Sequence, residues 1–282
     1  LELKWSVAVD GGTVQSGTAE LPLIAARQSG EVTIPFALPA ARHADSRAYL
    51  NVDFVLKEAT PWAPRGEPLA WDQFKLPLAA ASPAPGVIPS GAPLKAAMRG
   101  EALVIAGHGF EIAFDRRRGT LASWRANGQD LIETGPELCV WRAPIDNDGV
   151  HRRRQRAGEW ETARLFELFF RPRALEFEAD GAESVTVYVE GQMLPQAFSL
   201  AYDCQYVYTV FADGRVLVDL AAAPYGDWPE VVGRLGLKMT LPGRYENVEW
   251  FGLGPGECYP DSRAAARVGH YRSGLDGLHT PY

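Results

Sequence analysis

The chain has 282 residues, of which 46% are hydrophobic, and a formal net charge of -7. That apolar content fills one large core or two smaller ones, and two domains are expected. The negative charge opposes a nucleic-acid partner, no run reaches the roughly 18 apolar residues of a membrane span, and Leu1-Glu2-Leu3-Lys4-Trp5 lacks a signal-peptide layout, so a cytoplasmic protein with neither nucleic acid nor membrane as partner is expected.

Leu1, Leu3, Trp5, Val7 and Val9 alternate from the first residue, as a half-buried strand requires. They run into Asp10-Gly11-Gly12, a hairpin signal because Asp-Gly readily takes positive φ. Leu50, Val52, Phe54 and Leu56 form a second alternating strand, and Trp71, Phe74 and Leu76 close a segment that reads as part of a small β-sandwich over residues 1–78. Residues 79–93 carry four prolines and no charge, which suits an extended linker and a domain boundary.

Strands resume at Leu103 to Ile105 and Phe110 to Phe114, then turn at Asp115-Arg116-Arg117-Arg118-Gly119 into Leu121 and Trp124. More are expected at Val185 to Val189, Phe198 to Val210, Val216 to Leu220, Leu235 to Leu241 and Val248 to Phe251. Glu159 to Phe170 is the single expected helix. The 28 glycines and 21 prolines punctuate short strands throughout, so an all-β fold is expected rather than a parallel barrel. Cys139, Cys204 and Cys258 have no paired short spacing and read as buried free thiols.

Two segments carry a family resemblance. Trp141-Arg142-Ala143-Pro144-Ile145-Asp146-Asn147-Asp148 resembles the RAPxDND segment of the last domain of LacZ-type β-galactosidases, glycoside hydrolase family 2. Trp250-Phe251-Gly252-Leu253-Gly254-Pro255-Gly256-Glu257-Cys258-Tyr259-Pro260-Asp261 is similar to that domain's second signature, W-x-G-x-G-P-x-E-x-Y-x-D. Arg142, Pro144, Trp250, Gly252, Gly254, Pro255, Glu257, Tyr259 and Asp261 are the residues shared with the two signatures. Phe110 to Phe114 with Gly119 to Trp124 resembles the opening hairpin of the same domain, Arg234-Leu235-Gly236-Leu237 an inner strand, and Thr280-Pro281-Tyr282 a later landmark. The chain departs from the pattern at Leu253 and Ser262, where many relatives carry arginine.

The resemblance implies a partial immunoglobulin-like β-sandwich over residues 1–78 followed by a galactose-mutarotase-like β-supersandwich over 94–282, the chain being cut at both ends. It implies that the parent enzyme hydrolyses terminal β-D-galactose in lactose and related β-galactosides with retention. That chemistry needs two carboxyl groups about 5–5.5 Å apart. In the family both are glutamates of a central (β/α)₈ barrel, so no catalytic residue is expected in this chain, which is expected to be inactive alone and to have that barrel as its partner. Homo-oligomerisation of the full enzyme, Mg²⁺ and Na⁺ in it, and no cofactor in this chain are further implications. Asp146, Asn147, Asp148 and Gly149 are implied to border the active-site mouth, and residues 149–156 correspond to a loop that moves as the site closes, with Gly149 as its hinge.

The residues also admit plainer roles. Asp146-Asn147-Asp148 lacks the glycine and distal glutamate of a calcium loop and suits a hydrogen-bonded turn, so no metal site is expected. His151 to Arg156 also suits a solvated basic loop beside Glu159 and Glu161. Gly252 to Gly256 lacks the lysine and following helix of a phosphate loop and suits a tight corner. Trp62, Trp71, Trp160 and Trp228 suit packing rather than sugar stacking. A stand-alone carbohydrate-binding module, and an aldose epimerase using Glu257 with His270 or His279, are the alternatives of other classes.

Overall fold

The structure, a computed structural model, describes residues 1–43, 45–78, 92–149, 156–181, 183–196, 200–260 and 262–278. The fold is all-β, with every strand pairing antiparallel, and the chain divides into two compact units, Leu1–Val87 with Tyr245–Tyr282, and Ile88–Arg244.

In the first unit, β1 (Glu2–Val9) turns into β2 (Gly12–Ala19) through Asp10 and Gly11, both at positive φ (51° and 81°), as the expected hairpin requires. Strands β3 (Ala48–Val55) and β4 (Pro68–Leu76) complete a sheet of order β2-β1-β3-β4. Alternation puts Leu3, Trp5, Val7, Leu50 and Val52 on one face. Among the described residues no second regular sheet covers that face; Leu21, Val32, Ile34 and Phe36, from an irregular segment, pack on it.

The second unit contains β5 (Lys95–Arg99), β6 (Ala102–Gly107), β7 (Phe110–Asp115), β8 (Thr120–Ala126) and β9 (Gln129–Asp130), a five-stranded meander. After β10 (Thr134–Cys139) and helix α1 (Arg156–Thr162) come β11 (Phe169–Asp180), β12 (Ser184–Leu194), β13 (Leu200–Phe211) and β14 (Val216–Gly226), a four-stranded meander. Leu103, Ile105, Ile112 and Phe114 of the one sheet and Val185, Val187, Tyr206 and Tyr208 of the other share a single core. Phe114 and Tyr208 meet edge to face at 5.0 Å. Strand β15 (Gly236–Thr240) pairs only with β10 among the described residues. Tyr206 fastens that pair to the core, its hydroxyl accepting the buried N–H of Leu138 at 2.9 Å, and burial holds the phenol well above its ordinary pKa.

Strands β16 (Asn247–Gly254) and β17 (Arg267–Gly274) form a hairpin that packs in the first unit, together with the short helix α2 (Leu275–Leu278). The contacts thus group this hairpin with Leu1–Val87. The reason is a polar seam on the sheet of the first unit. The side-chain amide of Gln73 donates to the Val268 carbonyl and accepts the Val268 N–H, both at 2.8 Å, imitating a strand ladder. Gln73 also donates to Asn51, which donates to Ser6. Arg267 pairs with Asp53 and lies 4.2 Å over the Trp71 ring.

Other expectations change in detail. The helix expected over 159–170 is α1 and ends at Thr162, because Arg164 turns left-handed at φ 54° before a short 3-10 turn at Leu165–Glu167. Phe169 and Phe170 instead begin β11, where Pro172 sits at a bulge. The three cysteines are free, but only Cys204 is buried; Cys139 and Cys258 are half-buried. Most of the linker (79–91), together with 150–155, Phe198, Asp261, His279 and Thr280-Pro281-Tyr282, lies outside the described residues.

Burial pushes the Cys204 thiol up from 9.0 to about 11. The raised value favours the neutral thiol in the folded state. Its contribution to stability is therefore present below about pH 9 and lost as pH rises through about 11. A thiol-reactive probe at pH 8 is expected to label two cysteines of the native chain and the third only on unfolding. Labelling of Cys204 at the rate of the other two would contradict this burial.

Candidate functional site

The RAPxDND segment becomes a fixed turn through one buried ion pair. Arg142 and Asp148 have side chains only 10% and 5% exposed, and their contact is bidentate: Nη1 donates to Oδ2 at 2.7 Å and Nη2 to Oδ1 at 3.2 Å. Asp148 Oδ2 also accepts the N–H of Ile145 at 2.9 Å, closing the turn on its own backbone. Arg142 Nε donates to the Gly233 carbonyl and Nη1 to that of Ala143. The guanidinium stands 5.5 Å from the centre of the Trp160 ring. Trp160 is fully buried, donates Nε1–H to the Val231 carbonyl at 2.7 Å and meets Trp141 edge to face. The clamp thus joins residues 141–148, helix α1 and the segment 231–233.

The turn is a single 3-10 turn at Asp146–Asp148, ended by Gly149. Gly149 has φ 75° and ψ 55° and donates its N–H to the Asp146 carbonyl, a left-handed conformation that a β-carbon would strain. With Asp148 drawn inward, Asp146 and Asn147 are exposed. Asn147, Asp148 and Gly149 line a cleft of about 430 Å³ with Arg156, Glu159, Glu230 and Val231. The four residues expected at a substrate mouth are therefore contiguous on one turn, and Pro144 stands between its anchors. The rest of the basic loop, 150–155, lies outside the described residues.

Both Asp148 oxygens are engaged by Arg142, so the carboxylate is a structural partner of the guanidinium in this turn. No cluster of three or more His, Cys, Asp or Glu side chains placed to hold a metal ion exists among the described residues. Sequence reasoning named Trp160 for packing but missed its place in the clamp, along with those of Val231 and Gly233. The three lie 18, 89 and 91 residues from Arg142 in no recognisable spacing, and only the fold brings them together.

The second signature is part strand and part bend: Trp250 to Gly254 end β16, and the corner expected over Gly252 to Gly256 falls at Pro255 and Gly256. Trp250 Nε1 donates to the Leu253 carbonyl at 3.0 Å and its ring lies 5.4 Å from that of Tyr271. Gly254 sits so close beneath Tyr271 that a β-carbon would lie 2.7 Å from the ring. The Gly254-Pro255 bond is cis, and Gly252 pairs with Gly269 across the hairpin. The chain then turns at Tyr259, whose carbonyl accepts the N–H groups of Ser262 and Arg263, while the carbonyl of Glu257 accepts the Ser262 hydroxyl. His270 stands 4.0 Å from Glu249, its neighbour on the adjacent strand.

Two family models match the chain. Residues 106–282 match the β-galactosidase small chain, and residues 1–77 match domain 4 of β-galactosidase. The chain belongs to the β-galactosidase family. Among its curated relatives are a β-galactosidase of Psychromonas ingrahamii and β-galactosidase 2 of Enterobacter cloacae, each 31% identical over 99% of this chain and 27% of the relative. A β-galactosidase of Priestia megaterium is 26% identical over 99% of this chain and 26% of its own length. The chain thus spans about a quarter of the length of these relatives. The small-chain match includes both the clamp around Arg142 and the corner around Gly254. No helix among the described residues is long and apolar enough to cross a membrane.

Proposed function

We propose that this chain is the non-catalytic C-terminal region of a retaining β-galactosidase, bracing a catalytic (β/α)₈ barrel carried elsewhere in the enzyme and bordering its active-site mouth. The observation that carries the reading is the pair of family matches in one chain, joined to a turn whose Asp146 and Asn147 project from a buried Arg142–Asp148 anchor. Such an anchor holds a recognition loop with little conformational freedom left to lose on binding, which is what positioning a substrate group demands. The substrate class is the terminal β-D-galactoside of lactose and its analogues, and the parent assembles as a homo-oligomer in the cytoplasm, where three unpaired thiols are at home. Mg²⁺ and Na⁺ act in the full-length enzyme on this reading.

The test is hydrolysis of a chromogenic β-galactoside by the chain alone and by the full-length polypeptide that contains it. The expected result is no turnover alone and turnover by the full-length polypeptide. Turnover by the chain alone, co-purifying with it through repeated chromatography, would place catalysis inside these 282 residues and overturn the proposal.

A further inference from the structure

One strand of the second unit has the pattern of a core strand without a core over it. Leu237 and Met239 alternate along β15, which places them on one face, with Leu235 and Leu241 at its two ends, yet Leu235, Leu237, Met239 and Leu241 are 67%, 49%, 55% and 45% exposed. The opposite face carries Gly236, Lys238 and Thr240. The register pairs Leu237 with Leu138, which is 7% exposed and belongs to the core of the unit. The exposed stripe is therefore a sideways continuation of a packed core, on a sheet of only two strands whose β15 edge has no partner among the described residues. Two strands with an open edge and a bare apolar face form a template for a further strand.

We propose that β15 is the seat of an additional β-strand, supplied by the portion of the β-galactosidase polypeptide outside these 282 residues, which pairs along its free edge and covers Leu237 and Met239. The proposal rests on the functional reading above, in which this chain is one region of a longer enzyme. The occupant is assigned to the same polypeptide for two reasons. The relatives have about three-quarters of their length outside the matched region. The stripe is also continuous with the interior of the unit, whereas a patch for a separate partner is rimmed by polar surface. The strand that fits is amphipathic, with apolar residues at alternate positions facing the Leu237 side.

The experiment is amide hydrogen exchange at residues 236–240, in the 282-residue chain and in the full-length polypeptide, with β-galactoside hydrolysis measured on the same full-length sample. Amides of β15 that point away from β10 are expected to exchange on the order of 100-fold more slowly in the full-length protein. A Leu237→Glu/Met239→Glu double variant of the full-length protein is expected to lose that protection, while Lys238→Glu, on the other face, keeps it. Equal exchange in the two unmodified proteins would overturn the proposal without requiring any variant to fold. Protection in the short chain that grows with its concentration would also overturn it, by making a second copy the occupant. A full-length protein that hydrolyses the galactoside but leaves 236–240 unprotected defeats this inference alone; protection without hydrolysis defeats the functional reading and leaves the strand seat standing.

Discussion

Replacing Asp148 with alanine is expected to cost the second unit about 3–5 kcal/mol, because it leaves the buried Arg142 guanidinium without its counter-charge. The carboxylate engages both Arg142 nitrogens and the N–H of Ile145, so its removal also opens the 3-10 turn that displays Asp146 and Asn147. Burial decides the size of the effect: an exposed pair at the same distance contributes about 0–1 kcal/mol, and Arg215–Asp213 belongs to that class. Asp148→Asn is expected to recover part of the loss by keeping an acceptor for one donor. Exchanging both partners for apolar residues of similar size is expected to cost less than the single truncation, because it removes the stranded charge. Urea unfolding followed by tryptophan fluorescence, with the two units treated as separate transitions, measures this directly, since Trp141 and Trp160 adjoin the pair. A loss below about 1 kcal/mol for Asp148→Ala would mean that the pair behaves as solvent-exposed. On the function proposed above, the same substitution in the full-length polypeptide is expected to lower turnover of the galactoside.

Trp160→Ala is expected to be comparably damaging, at about 3–5 kcal/mol. The indole is 1% exposed, so truncation opens a large cavity between Trp141 and the chain at Gly233. It also removes the donor to the Val231 carbonyl and the aromatic face beneath Arg142. Trp160→Phe is expected to retain part of the packing and none of the hydrogen bond. Since Trp160 and Asp148 act on the same guanidinium, their substitutions are expected to be non-additive by about 0.5–3 kcal/mol. A double-mutant cycle on the second-unit transition tests this. Additivity within experimental error would mean that helix α1 and the 146–149 turn are independent and that the clamp is not one structure.

The corner around Gly254 and the clamp around Arg142 differ in how much the chain discloses. Gly254, Pro255 and Trp250 interact with near neighbours or across a single hairpin, so a short run of residues already implies the turn. Asp148 is equally local, but its partner's other contacts, to Gly233 and Trp160, come from distant segments, and composition gives no sign of them. Strands with clean alternation, such as Ala48–Val55 and the Val185 to Val189 part of β12, were legible because one face is buried and a period of two follows. Phe169–Asp180 was not. An outer strand with a proline at its bulge and charges along one face lacks that contrast, and local propensity favoured a helix through Phe170.

The sequence by itself determined the all-β class, the hairpin at Asp10-Gly11, the positions of most strands and the family to which the chain belongs. All of these depend on residue alternation, positive-φ turns or contiguous signatures. Tertiary structure decided the grouping of Tyr245–Tyr282 with the first unit, the inward turn of Asp148 onto Arg142, and the exposure of the leucines along β15. The physical reason is common to the three. Each depends on which groups lose their water when distant segments meet, and a side chain such as Gln73, Asp148 or Leu237 has the same intrinsic chemistry whether or not a partner lies across from it.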